Sequence, residues 1–188
     1  MGTERHIASR APALIVNLGQ LCIFGPMIAS DAPILVLGLG NTLLKDEAVG
    51  VRVAEYLAAL PAAETLGLRC LDGGTMGLTL LVEMEDAAAL IVVDAAHLAA
   101  EPGMVQMFEG KEMDHFLRTR SRNAHDIGLD DLMDALRLRQ AVPELRALMG
   151  IQPENMRVGE ELTGKVADAV PKAAEMVLGL ARRWRALE

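Results

Sequence analysis

Glu47, Asp72, Asp94 and His125 are the side chains whose types and spacing could do chemistry in this chain. Asp46 stands directly before Glu47. A glutamate, an aspartate and an imidazole converging on one edge of a sheet would hold a divalent metal and leave positions open for water or substrate. Imidazole with carboxylates suits zinc, nickel, copper or iron. Each residue also has a plainer reading. Asp46 could cap a helix start, where orphan N–H groups and the dipole favour an acid. Asp72 precedes Gly73-Gly74, as a turn former does. His125, between Asn123 and Asp126, reads equally well as a surface histidine. Asp94 is harder to dismiss, because it directly follows the apolar pair Val92-Val93, where an unpaired charge is costly.

The elements that must position these residues follow from the apolar pattern. Residues 34–39 are a short apolar run with β-branched members, the mark of a strand buried on both faces. The run turns on Gly38 and Gly40, passes Asn41, presents Asp46 and Glu47, and re-enters helical spacing at Val49, Val53 and Leu57. Strand, glycine turn and helix make the first half of a βαβ unit, and ligands sit at the carboxyl ends of such strands. The helix should cover residues 48–60 and stop at Pro61. A second strand is expected over 68–71, leading into the turn-forming cluster Asp72-Gly73-Gly74-Thr75. A helix over 77–85 would turn Leu78, Leu81 and Val82 inward. A third strand over 90–93 ends at Asp94, and a fourth is expected over 104–108. Residues 95–103 are too few for a helical crossover, so the fourth strand should run antiparallel to the third. Residues 115–126 read as a polar loop or frayed helix end. A helix over 128–139 presents Leu129, Leu132, Met133 and Leu136 on one face. A fifth strand spans 145–151. A terminal helix over 162–187, striped by Val166, Val170, Ala173, Val177, Leu180 and Trp184, should kink or break near Pro171. Alternation of strands and helices predicts an α/β fold, a three-layer α/β/α sandwich with strands one, two, three and five parallel.

Composition narrows the function classes. The chain has 188 residues, 52% hydrophobic, with a formal net charge of −8. That is one domain with a sizeable core and no electrostatic case for nucleic acid or an anionic membrane as partner. Residues 31–188 are read as that single domain. Residues 1–30 are read as an N-terminal extension of doubtful role. The apolar stretch 11–27 has the pattern of a secretory signal peptide, although Glu4 dilutes the positive start and Met27 offers another start. Asn17, Gly19, Gln20, Gly25 and Pro26 interrupt it too often for a membrane anchor. The two cysteines, Cys22 and Cys70, make neither a disulfide framework nor a zinc motif, which fits a cytoplasmic protein. The only serines are Ser9, Ser30 and Ser121, with no G-x-S-x-G elbow, and no H-E-x-x-H exists, so nucleophilic hydrolases and zincins are set aside. His6, His97 and His115 have no evident partners, and Cys70 reads as packing. Gly38-Leu39-Gly40 opens like a dinucleotide fingerprint, but Leu43 stands where the third glycine should be. Asp46 and Glu47 would also repel a pyrophosphate. A nucleotide-binding Rossmann protein is therefore a rival reading only.

In order, the chain carries GLGNTLLKDEAVG, LDGGTMGLTLL, LIVVDA, AHDIGL, and GIQPE followed by GEELTGKV. This set resembles the nickel–iron hydrogenase maturation endopeptidases, and the resemblance covers residues 34–180. It implies a five-stranded mixed sheet with an antiparallel fourth strand. It implies a metal site from Glu47, in the D-E-[AG]-x-G motif, with Asp94 and His125. The turn Asp72, Gly73, Gly74 and Thr75 would support the cleft or hold substrate backbone. The resemblance further implies a partner, the hydrogenase large-subunit precursor, recognised once nickel is inserted and relieved of a C-terminal peptide by one cut. Nickel would be borne by the substrate, and another divalent metal could occupy the site in isolated protein. Either that metal acts as Lewis acid, or it positions the substrate while Glu47, or Asp46 beside it, serves as general base. The non-enzymatic alternative is a metal-dependent assembly chaperone that binds the precursor without cutting it. The chain departs from the family pattern at residues 1–30 and at Asn123-Ala124 ahead of His125.

Overall fold

The structure is a computed structural model that describes residues 28–29, 32–75, 77–119 and 128–185. The expectations placed on residues 1–27, and on His125 with its neighbours 120–127, lie outside the described residues.

Five strands form one sheet: β1 (Ile34–Leu39), β2 (Leu68–Gly74), β3 (Ala89–Ala95), β4 (Val105–Glu109) and β5 (Leu145–Ile151). Their order is β2-β1-β3-β5-β4. All neighbours are parallel except β4, which pairs antiparallel with β5. The direction of β4 is the one its short connection predicts, but β5 lies between it and β3.

Alternate residues of the central strands feed two cores. Ile34, Val36, Ile91 and Val93 pack with Val49, Val53 and Leu57 of α1 (Val49–Ala58) and with Ala173, Val177 and Trp184 of the last helix. Leu35, Leu37, Leu90 and Val92 pack on the other face with α3 (Leu80–Glu85), α4 (Lys111–Thr119) and α5 (Leu129–Leu138). Side chains of successive strand residues point to opposite faces, so an unbroken apolar run demands a helical layer on each side.

Several expectations shift in detail. Pro61 does not merely stop a helix. It occupies the first turn of a new one, α2 (Pro61–Thr65), where its missing N–H costs nothing. The helix after β2 begins as a 3-10 turn (Gly77–Thr79); Leu80 and Met84 are buried and Leu81 packs beside them as expected, while Leu78 and Val82 are exposed. Residues 111–119, read in part as a polar loop, are helical, with Met113 and Leu117 inward. The terminal segment divides into α6 (Gly164–Ala167) and α7 (Ala169–Trp184). The break falls at Asp168 rather than at Pro171, which places the proline in the first turn of α7, where no intrahelical donor is needed.

Arg185, just past α7, is buried and ties the two ends of the described chain together. Its guanidinium donates to the carbonyls of Leu66 (2.6 Å), Ala29 (2.6 Å) and Ala32 (2.8 Å).

Candidate active site

The carboxyl ends of β1, β2 and β3 carry the acids singled out above. β1 leaves the sheet through Gly38 and Gly40, and the chain returns as a 3-10 turn, Lys45–Ala48, that leads into α1. A Cβ on Gly38 would lie 2.3 Å from the Gly50 carbonyl oxygen, and one on Gly40, at φ 133°, would lie 1.7 Å from that of Glu47. Both glycines therefore exist to let this turn lie against the strand. The acidic pair Asp46 and Glu47 stands in this turn, which disfavours a pyrophosphate there and with it the Rossmann reading.

Gly50 makes the matching approach on the other side. A Cβ there would lie 2.2 Å from the Val93 carbonyl oxygen and 2.4 Å from that of Leu39. Glu47 precedes this contact by about one turn of helix, and Asp94 is the next residue after Val93. The turn also packs directly against β3. Glu47 and Asp94 are both half-buried and both engaged in interactions. They thus flank one tight backbone junction, on elements held by glycine contacts rather than by flexible loops.

Asp46 has a different environment. It is 0% exposed. Its Oδ2 accepts hydrogen bonds from the backbone N–H of Glu154 (2.9 Å), that of Asn155 (2.8 Å) and the Thr163 hydroxyl (2.9 Å). Its Oδ1 accepts from the Thr163 N–H at 2.7 Å. Burial pushes the carboxyl up, but the bonds from the Thr163, Asn155 and Glu154 backbones and the Thr163 hydroxyl outweigh it and hold the pKa below the ordinary aspartate value. A carboxylate this saturated, and this reluctant to take a proton, is poorly suited to the general-base role considered for it. Nor does it cap its own helix, since neither the 3-10 turn nor α1 has a side-chain cap. It fastens residues 154–163 to the turn. Three backbone bonds complete the seam: Lys45 N–H to the Gly159 carbonyl (2.7 Å), Gly159 N–H to that of Leu43 (2.9 Å), and Asp46 N–H to that of Asn155 (3.1 Å). Lys45 sits at φ 42°, a strained value for a side-chain-bearing residue, held by this seam.

Asp72 is exposed, and its Oδ1 accepts the Gly74 N–H at 2.8 Å, the local turn bond anticipated for it. The cluster is not a free turn, however. Asp72, Gly73 and Gly74 end β2, where Gly38 pairs with Asp72 and Leu39 with Gly74, leaving Gly73 as the extra residue of a bulge. A Cβ on Gly73 would lie 2.7 Å from Leu37 Cδ1. Thr75 is exposed at the same edge. His125 lies outside the described residues. Among the described residues no three acidic, histidine or cysteine side chains gather as a metal-binding group. The described part of the expected ligand set is Glu47 with Asp94.

Two residues in the GIQPE and GEELTGKV motifs were given no role by sequence reasoning. Thr163 is one, bonding Asp46 across the chain. The other is Gln152, buried at the end of β5. Its Oε1 accepts the Leu98 N–H at 2.8 Å and its amide donates to the Pro153 carbonyl at 3.1 Å, so it fixes the loop that follows Asp94. A threonine before a helix start is a cap signal, but nothing in one sequence says that its hydroxyl serves an aspartate 117 positions earlier.

The family model described as hydrogenase maturation protease matches residues 51–180. The chain is 37% identical over 150 residues to the hydrogenase 2 maturation protease of Escherichia coli, covering 79% of this chain and 90% of that protein. The solved structure of the hydrogenase maturating endopeptidase HybD from E. coli superposes with a TM-score of 0.70 at 36% identity, covering 80% of this chain and 92% of that one. The NiFe hydrogenase maturation protease HybD from Thermococcus kodakarensis gives a TM-score of 0.64 at 28% identity, covering 79% and 99%.

Proposed function

This chain belongs to the hydrogenase maturation protease family, and we propose that it removes the C-terminal peptide of a nickel–iron hydrogenase large-subunit precursor after nickel has been inserted. In this reading nickel arrives as part of the substrate. Glu47, Asp94 and His125 would share a metal already held by the precursor, so that only a loaded precursor is positioned for cutting. The reaction would take place in the cytoplasm. Among the described residues no helix is long and apolar enough to cross a membrane.

The observation that carries this reading is the placement of Glu47 and Asp94 on either side of the junction where Gly50 meets Val93. A carboxylate–carboxylate–imidazole set with open positions suits a borderline divalent metal such as nickel. The base is assigned to Glu47 rather than Asp46, because Asp46 is fully buried, holds four donors and has a lowered pKa, so water does not reach it and it takes a proton poorly. Glu47 would accept a proton from water as the oxygen attacks the scissile carbonyl. That proton would then pass to the departing amine nitrogen as the C–N bond breaks.

The test is the intact mass of a nickel-loaded precursor and of a nickel-free precursor, before and after addition of this protein. A C-terminal peptide should be lost from the loaded precursor alone, and Glu47→Gln or His125→Ala should abolish the loss while the variants melt as cooperatively as the parent. Equal cutting of the nickel-free precursor would refute metal-gated recognition. Full processing by both variants would refute the site.

A further inference from the structure

Exposed apolar side chains are unevenly placed on this molecule. Of the eight large hydrophobics exposed among the described residues, Leu43, Met156 and Val158 lie on the two segments joined by the Asp46 seam, beside Glu47. Val158 is 83% exposed, Leu43 59% and Met156 46%. A loose loop would carry such residues without consequence. This one is held by the Asp46 carboxylate and by the backbone bonds between Lys45, Gly159, Leu43 and Asn155. Rigid apolar surface in water, next to a candidate active site, is the usual mark of a recognition surface. Its rigidity lowers the ordering cost of binding. The exposed rim around it carries three glutamates, Glu154, Glu160 and Glu161, against two cations, exposed Arg157 and half-buried Lys45, whose side chain lies along Gly159.

We propose that Leu43, Met156 and Val158 form the ledge on which the hydrogenase precursor docks, through an apolar segment flanked by Lys or Arg. The inference rests on the reading above and adds to it the surface that selects the partner. An apolar segment would cover the three side chains, and its basic flanks would meet the glutamates. The acidic overall balance of the chain favours the same partner charge. A second copy of this chain, acidic at the same rim, would be repelled there.

The experiment places a benzophenone amino acid at position 158 of the full chain and irradiates it with the precursor. In parallel, steady-state processing is measured for Leu43→Ser, Val158→Ser and the charge reversal Glu160→Lys. Leu138→Ser, exposed at the far end of α5, is the control. The expected result is a cross-link to the precursor, a KM raised tenfold or more in both Ser variants with kcat within twofold, a KM that rises with salt, and no change for the control. Cross-linking to another copy of this chain, or to its own residues 1–27, overturns the proposal, as does an unchanged KM. A precursor that is cross-linked but never cut overturns the proteolytic reading and keeps the ledge. One cut normally by every variant overturns the ledge and keeps the protease. One neither cut nor cross-linked overturns both.

Discussion

Replacing Asp46 with Asn separates an anchoring carboxylate from a catalytic one. The wild-type carboxylate accepts four hydrogen bonds, three at Oδ2 and one at Oδ1, with no exposure to water. An Asn amide has one acceptor oxygen. Its best placement puts that oxygen among the three donors and turns its NH2 toward the Thr163 N–H. That leaves two buried donors facing each other and weakens the other three bonds, which were charge-assisted. An unsatisfied buried donor costs about 1–3 kcal/mol, and a bond to a charged acceptor contributes about 1.5–3. A net loss of about 3–5 kcal/mol follows from those ranges. For a domain of this size each kcal/mol moves Tm by about 2–4 °C, so the midpoint should fall by roughly 6–20 °C. Asp46→Ala, which leaves all four donors without this acceptor, should be worse still.

Thermal melting followed by circular dichroism reads this directly, with processing assayed well below both midpoints. A catalytic base changed to its amide loses turnover and keeps its midpoint. An anchor loses its midpoint first and keeps turnover where the fold survives. A Tm for Asp46→Asn within about 2 °C of the parent, below the shift for 1 kcal/mol, together with abolished turnover would refute the reasoning and return Asp46 to the catalytic machinery.

Stability should also fall in acid. The folded pKa values of Asp46 and Asp114 are both lowered, so each contributes stability that is present above the ordinary aspartate range near pH 4 and lost as pH falls through the folded values. Tm should be nearly flat from pH 7 to 5 and drop below about pH 4. Asp114→Asn should flatten that drop and lower Tm at pH 7, because Arg146 loses a two-point contact that includes a 2.6 Å bond. Gly40→Ala should cost at least about 1–3 kcal/mol from its positive φ alone. It should also lower kcat, since the new methyl meets the Glu47 carbonyl; unaltered turnover would show that Glu47 tolerates displacement. Arg185→Ala should destabilise by about 3 kcal/mol through three abandoned carbonyls, and Arg185→Lys should recover little, because an ammonium cannot span all three. Chemical denaturation measures both.

Periodicity and turn chemistry made much of this molecule legible in its sequence. The strand over Ile34–Leu39, the strand over Leu145–Ile151 and the buried stripe of α7 lie where the apolar pattern puts them, because burial on both faces leaves little choice of register. The phase of α3 was not legible. Of Leu78, Leu81 and Val82 only Leu81 packs against the core; after the 3-10 start the fully inward residues are Leu80 and Met84. The place of β4 was also hidden, since a short connection dictates direction but not which strand inserts between. At the site, the acids could be listed but not ranked. Asp46 and Glu47 are neighbours in sequence, and only contacts with residues 154–163 distinguish them. Those contacts are made mainly by backbone N–H groups, which have no residue-type signature.

The adjacency of these two acids carries a physical consequence for the proposed reaction. A protease that must capture a metal held by its substrate cannot rely on its own metal to order the site beforehand. Its ligands need another source of rigidity. The Asp46 carboxylate supplies one, because backbone N–H donors solvate its charge as water would but without moving. With both its carboxylate and its N–H engaged, Asp46 leaves the next peptide unit little freedom. The Glu47 carbonyl, seated against Gly40, removes more. The Glu47 backbone is thereby fixed, and its half-buried, engaged side chain starts from a rigid base. The same seam holds Val158 and Met156 up at the rim, so the proposed docking surface and the proposed base would share one mechanical support. Loosening that seam with Thr163→Val, which removes the hydroxyl donor to Asp46 but keeps the backbone one, should therefore raise KM and lower kcat together. A pure docking defect or a pure chemical defect in that variant would show that the two functions are held separately.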